Sequence, residues 1–182
     1  MYAAKDTWHM RRNSFYPYAQ EDLSQIEQNR AFGYRPYGST AVHAQQYAEK
    51  MLKDAIQSFD GFPPKTHNIN MLMEELELHG IPLDQELYDK GTFLSNLYFD
   101  ARYPDKGLSD IGEDTAELAC EYSLEIVRYY DSFYLDEYGN VLRIPDQDDP
   151  PSNGRNGPDG KAGTGKGLLG RPGKKILKWP FR

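Results

Sequence analysis

Few side chains in this 182-residue chain offer chemistry beyond packing. Arg102 and Tyr103 stand just before Pro104. A guanidinium fork there suits a phosphate, and in so acidic a chain it equally suits a salt bridge to Asp100 or Asp105. His43 opens an amphipathic run; it reads as lining a cleft or bonding across a helix or dimer seam, or as an ordinary surface histidine. His67 reads as part of a helix start, with binding as the alternative. Gln45, Gln46, Glu49 and Lys50 are ordinary helix formers that an interface would also use. Lys174, Lys175, Lys178 and Trp179 mix cations with an aromatic, a composition that grips phosphates while stacking on a base. The competing reading of that segment is a disordered tail that folds back on an acidic body or docks on a partner protein.

Several chemistries fall away on composition. With Cys120 the only cysteine, neither a disulfide framework nor a Cys/His zinc spacing can form, which points to a reducing compartment. No metal and no cofactor is expected. Gly160 to Gly167 fits Gly-x-x-x-x-Gly-Lys but has Gly167 where a Ser or Thr must ligate magnesium, with no strand before it and no helix after it. Glu113, Asp114, Glu117 and Glu121 read as a solvated face. No apolar run approaches the roughly 20 residues that span a bilayer, and Met1 to Arg12 lacks the apolar region of a signal peptide. A cytoplasmic protein without membrane contact is the expectation.

The elements that must position these residues read as helices. Residues 1–17 form an N-terminal extension, 18–139 a helical body, and 140–182 a Gly/Pro-rich basic tail expected to be disordered, since it cannot bury enough apolar surface to offset its ordering entropy. From Pro150 onward there are eight basic residues and one acidic one, Asp159, whereas the whole chain carries −7. An acidic body therefore carries a basic tail, and such asymmetry suits an anionic partner. A first helix is expected over Ala19–Phe32 with Leu23, Ile26 and Arg30/Ala31 on one side. Ser39 or Thr40 then caps a second helix, whose Ala44, Tyr47, Ala48, Met51, Leu52, Ala55 and Phe59 share a face, opposite Gln45, Glu49, Lys53 and Asp54. Thr66 caps a third helix with Ile69, Leu72, Met73 and Leu76 inward. A fourth holds Leu87, Leu94, Leu97, Tyr98 and Ala101, with Gly91 a weak point. The fifth is expected from Ser109 to Tyr138. The fold class is all-α, an antiparallel up-and-down bundle of four to five helices.

Three segments in order and spacing resemble the HEPN domain family. They are His-Ala-Gln-Gln-x-Ala-Glu-Lys-x-Leu-Lys at His43 to Lys53, Pro-Lys-Thr-His at Pro64 to His67, and Tyr-x-x-x-Arg-Tyr-Pro-Asp at Tyr98 to Asp105. With the last long helix they cover roughly residues 19–137. The resemblance implies a helical bundle that often forms dimers. It also implies one of three roles: an RNA-cleaving toxin or defence effector, a partner of a minimal nucleotidyltransferase, or a non-catalytic binder of nucleic acid or nucleotide. Catalytic members of the superfamily use an Arg followed, after four to six residues, by a His. Arg102 sits where that arginine is expected, but positions 107 to 109 are Gly107, Leu108 and Ser109, and Arg35 to His43 has seven intervening residues. The general acid/base candidate of the nuclease is thereby lost.

The sequence thus favours a binding protein over an enzyme. The expectation is a homodimeric, non-catalytic HEPN-like protein that binds RNA, a nucleotide or a cognate protein in a bacterial defence or toxin–antitoxin setting. The expected contacts are Arg102, Tyr103, His43, Gln46, Lys50 and His67 in the body and Lys174, Lys175, Lys178 and Trp179 in the tail. The alternatives are a ribonuclease with a non-standard Arg/His site and a protein-interaction module acting through the tail.

Overall fold

Among the described residues five helices and one short hairpin follow one another: α1 (Tyr16–Ala31), α2 (Tyr37–Gln57), α3 (Ile69–Leu78), α4 (Gln85–Asp100), α5 (Glu113–Asp131), β1 (Phe133–Leu135) and β2 (Val141–Arg143). The computed structural model describes residues 13–59, 62–100, 111–135 and 140–143. Helix α2 is the axle: it packs against α1, α3, α4 and α5, while α4 also packs on α3 and α5. This is the all-α bundle that the hydrophobic periodicity predicts.

The apolar stripes meet at α2. Ala44, Ala48 and Ala55 let neighbouring helices approach closely, and Tyr47, Met51 and Leu52 fill the space between them; all six are buried. Ile69, Leu72, Met73 and Leu76 of α3 are fully enclosed, as are Leu94 of α4 and Ala116, Ala119 and Ile126 of α5. Helix α3 ends where Gly80 adopts φ 93°. Its N–H bonds Glu77 O and the Ile81 N–H bonds Leu76 O, satisfying carbonyls that the helix leaves open. Gly91, expected to weaken α4, has a packing reason. A Cβ there would lie 2.1 Å from Asn70 Oδ1 and 2.4 Å from Met73 Cε, so glycine permits the contact between α3 and α4.

Several details differ from the sequence expectation. Helix α1 opens at Tyr16, with Pro17 in its first turn, and buries Asp22 and Asn29 while Arg30 and Ala31 are exposed. Asn29 and Thr40 are hydrogen-bonded to each other inside the α1–α2 contact, so Thr40 belongs to the packing rather than to a cap. The cap of α3 is Asn68, whose side chain accepts from Met71 N–H; Thr66 instead accepts from Asn68 N–H. Helix α5 stops at Asp131. In place of the expected continuation to Tyr138 stands an antiparallel hairpin in which Phe133 pairs with Arg143 and Tyr134 with Leu142. Tyr34 and Tyr37 reach α5 through their hydroxyls, to Glu117 and Glu113, whereas Tyr130 lies in the core.

Candidate functional site

The side of α2 expected to face water is buried. Gln45, Glu49, Lys53 and Asp54 are each at most 7% exposed. Burying a carboxylate is costly unless its oxygens are satisfied. Glu49 meets that demand with four side-chain donors: Lys53 Nζ at 2.8 Å and His67 Nδ1 at 3.0 Å on Oε1, Gln45 Nε2 at 3.0 Å and Gln46 Nε2 at 3.4 Å on Oε2. Its accepting capacity is full, so Glu49 orients its neighbours and has nothing left for a ligand. Because a carboxylate only accepts, the contact places a proton on His67 Nδ1.

His67 is also fixed from one face. Its ring stacks on Tyr98 with centroids 4.4 Å apart and planes 18° from parallel. Tyr98 is buried in the last turns of α4, but the His67 side chain is 46% exposed. The surroundings thus hold the imidazole still and leave much of it open.

A second carboxylate serves His43 and Lys50. Asp22 of α1, buried, accepts a hydrogen bond from His43 Nδ1 on Oδ1 at 2.9 Å and one from the Lys50 ammonium on Oδ2. His43 and Lys50 are seven residues apart and so share one face of α2. Glu49 is six residues from His43, about 120° round the helix at about 100° per residue. The expected site residues therefore separate into two networks, His43 with Lys50 on Asp22, and Gln46 with His67 on Glu49.

Asp54 performs a third task. It accepts from the N–H groups of Asn13, Phe15 and Tyr16, and Asn13 Nδ2 donates to its backbone carbonyl. A carboxylate at the positive end of α1 suits the helix dipole, and it ties the start of that helix to α2. Arg102, Tyr103, Lys174, Lys175, Lys178 and Trp179 lie outside the described residues. Among the described residues no group of three or more His, Cys, Asp and Glu is arranged to hold a metal ion, and no helix is long and apolar enough to cross a membrane. Sequence reasoning missed Asp22 altogether, placed Glu49 on the surface and assigned Tyr98 to packing alone.

His43, Gln45, Gln46, Glu49, Lys50 and His67 all fall in the segments that resemble the HEPN family, and comparison with family models extends the likeness along the bundle. The HEPN domain model matches residues 14–133, from the segment held by Asp54 to the first residue of β1. The chain belongs to the HEPN family. HEPN domains form a nucleotide-binding and RNase-type family with an all-α fold, in keeping with the five helices seen here. Comparison with curated proteins and with solved structures gave no match. In this HEPN chain the His-Ala-Gln-Gln segment is thus a set of buried polar anchors as much as a surface: Gln45 is fully enclosed, and Gln46 donates to Gln45 Oε1 at 2.7 Å.

Proposed function

We propose that this HEPN protein binds single-stranded RNA or a nucleotide without cleaving it, and works as a homodimer beside a cognate protein such as a minimal nucleotidyltransferase. The observation that carries the reading is the half-open His67, locked by Glu49 and by Tyr98 of α4, which precedes Arg102 by four residues in the sequence. A guanidinium there suits a phosphate. His43 and Lys50 supply a further imidazole and a cation on the neighbouring face. The absence of any Arg followed at nuclease spacing by His supports binding over cleavage. The basic tail adds phosphate contacts through Lys174, Lys175 and Lys178 and a stacking ring in Trp179.

The test is a salt titration of RNA binding by the full chain, alongside a variant with Lys174, Lys175 and Lys178 changed to Ala. Each lost phosphate contact flattens the slope of log K against log salt by about 0.7 for a single strand. The reading expects a shallower slope in the variant and weaker binding at low salt. Equal slopes would remove the tail from the interface.

A second reading has one observation in its favour. An imidazole whose Nδ1 is held by a buried carboxylate is oriented as a general base is, and both His43 and His67 have that arrangement. A ribonuclease using either histidine with Arg102 would lose RNA cleavage on Arg102→Ala.

A further inference from the structure

We infer that His67 is a stacking platform for a nucleobase and acts through the face of its ring. The inference rests on the reading that this surface binds RNA or a nucleotide. Three sides of the ring are accounted for. One face lies against Tyr98 at 4.4 Å, and the Nδ1 edge is held by both oxygens of Glu49 at 3.0 and 3.2 Å. The Cβ side joins the backbone, whose carbonyl accepts from Gln45 at 3.3 Å. The side chain is nevertheless 46% exposed. Among the described residues these contacts occupy one face and the Nδ1 edge, and we assign the exposure to the second face and the Cε1–Nε2–Cδ2 edge.

The arrangement is unusual for a surface histidine, which ordinarily keeps its rotamer freedom. Here the ordering cost is met in the folded protein, because Glu49 is enclosed and saturated and Tyr98 is only 8% exposed. A planar ligand arriving on the open face would extend a stack already two rings deep. Every base offers a π-face, so such a platform tolerates sequence and suits a purine or a pyrimidine. Lys65, exposed and two residues earlier, offers an ammonium to the phosphate that accompanies the base. Glu49 and Tyr98 are positioning residues on this account: neither touches the ligand, and both hold the ring flat. The platform needs no proton transfer at Nε2, and this separates it from the general-base reading.

The experiment compares the full-length wild type, His67→Ala and His67→Phe. Each is checked for a native melting transition. The probes are a mononucleotide of a fluorescent adenine analogue and a short single-stranded RNA carrying that base. Stacking on the platform quenches the analogue. His67→Phe keeps an aromatic face and retains quenching and affinity within about threefold, whereas His67→Ala loses quenching and binds about 5- to 100-fold more weakly. The salt slope stays the same in all three, since no phosphate contact is removed. Quenching of both probes identifies the base alone as sufficient; quenching of the RNA only shows that the phosphates of the polymer are also needed. Wild-type affinity and quenching in His67→Ala would overturn the platform and leave the binding reading standing. Equal losses in His67→Ala and His67→Phe would assign the role to a ring nitrogen and overturn the platform too. Failure of the wild type to bind either probe would overturn the binding reading, and the platform with it.

Discussion

Glu49 and His67 are 18 residues apart and meet at 3.0 Å, with the carboxylate enclosed and the imidazole half open. The same carboxylate holds Lys53, itself only 7% exposed. Glu49→Ala strands that ammonium in the bundle, and removing one partner of a buried pair costs about 3–5 kcal/mol. We expect a loss of about 3 kcal/mol in urea unfolding at unchanged slope. Glu49→Gln should lose nearly as much, because its amide turns a donor toward Lys53 or His67. A cost within about 0.5 kcal/mol, the range of an ordinary surface change, would mean that the network is not enclosed in solution.

Asp54→Ala removes the acceptor of three N–H groups at the start of α1. Hydrogen bonds to a charged group are worth about 1.5–3 kcal/mol each, and residues at a helix start retain some solvation. The expected loss is about 2 kcal/mol in total, with amide hydrogen exchange accelerated at Phe15 and Tyr16 and unchanged in the middle of α2. Uniform acceleration throughout the bundle would contradict this local role.

Gly91→Ala sets two effects against each other. Alanine improves helix propensity by about 1 kcal/mol, while overpacking a tight contact costs about 1–3 kcal/mol. With Asn70 Oδ1 only 2.1 Å from the new Cβ, and the same amide held by Thr92 through Nδ2 at 2.7 Å, overpacking should win. The variant should unfold at lower urea, and the double variant Asn70→Ala, Gly91→Ala should recover much of the loss. A stabilised single variant would show that Asn70 moves aside freely.

Burial pushes the Cys120 thiol from its ordinary 9.0 up to about 12, and burial likewise raises the Tyr130 hydroxyl. Both groups stay neutral in the fold, while the unfolded chain gives up its protons first as the solution becomes alkaline. The stability they contribute is complete below about pH 9 and falls as pH rises toward about 12, for Cys120 on the order of 1 kcal/mol per pH unit. Melting curves from neutral pH to about pH 11 should show this decline, and Cys120→Ala should reduce its steepness. Because the thiolate is the nucleophile, iodoacetamide should label Cys120 only under denaturing conditions.

Much of the bundle was legible in the sequence because apolar residues at spacings of three and four mark a buried helix face wherever the helix finally packs. Ile69, Leu72, Met73 and Leu76 are a clear instance, and all four are enclosed. The same periodicity misplaced the polar side of α2. Whether Glu49 or Asp54 faces water depends on partners far along the chain, and those partners, His67 and the segment from Asn13 to Tyr16, have no local signature. The end of α5 was misread for a related reason: Tyr130, Tyr134 and Tyr138 keep a helical spacing, while the helix ends at Asp131 and Phe133 pairs with Arg143, a partner ten residues on. Of the candidate site, His43, Gln46, Lys50 and His67 could be singled out from the sequence as candidates. Their division between Asp22 and Glu49 was not, because it depends on which helix packs on which side of α2.

The proposed function requires that this HEPN protein bind RNA and leave it intact. The most direct measurement incubates the full chain with end-labelled single-stranded RNA, following retention and strand length together for the wild type and Arg102→Ala. We expect salt-sensitive retention of full-length RNA by the wild type, weaker retention by Arg102→Ala, and no shortened product from either. RNA shortened by the wild type and left whole by Arg102→Ala would contradict it.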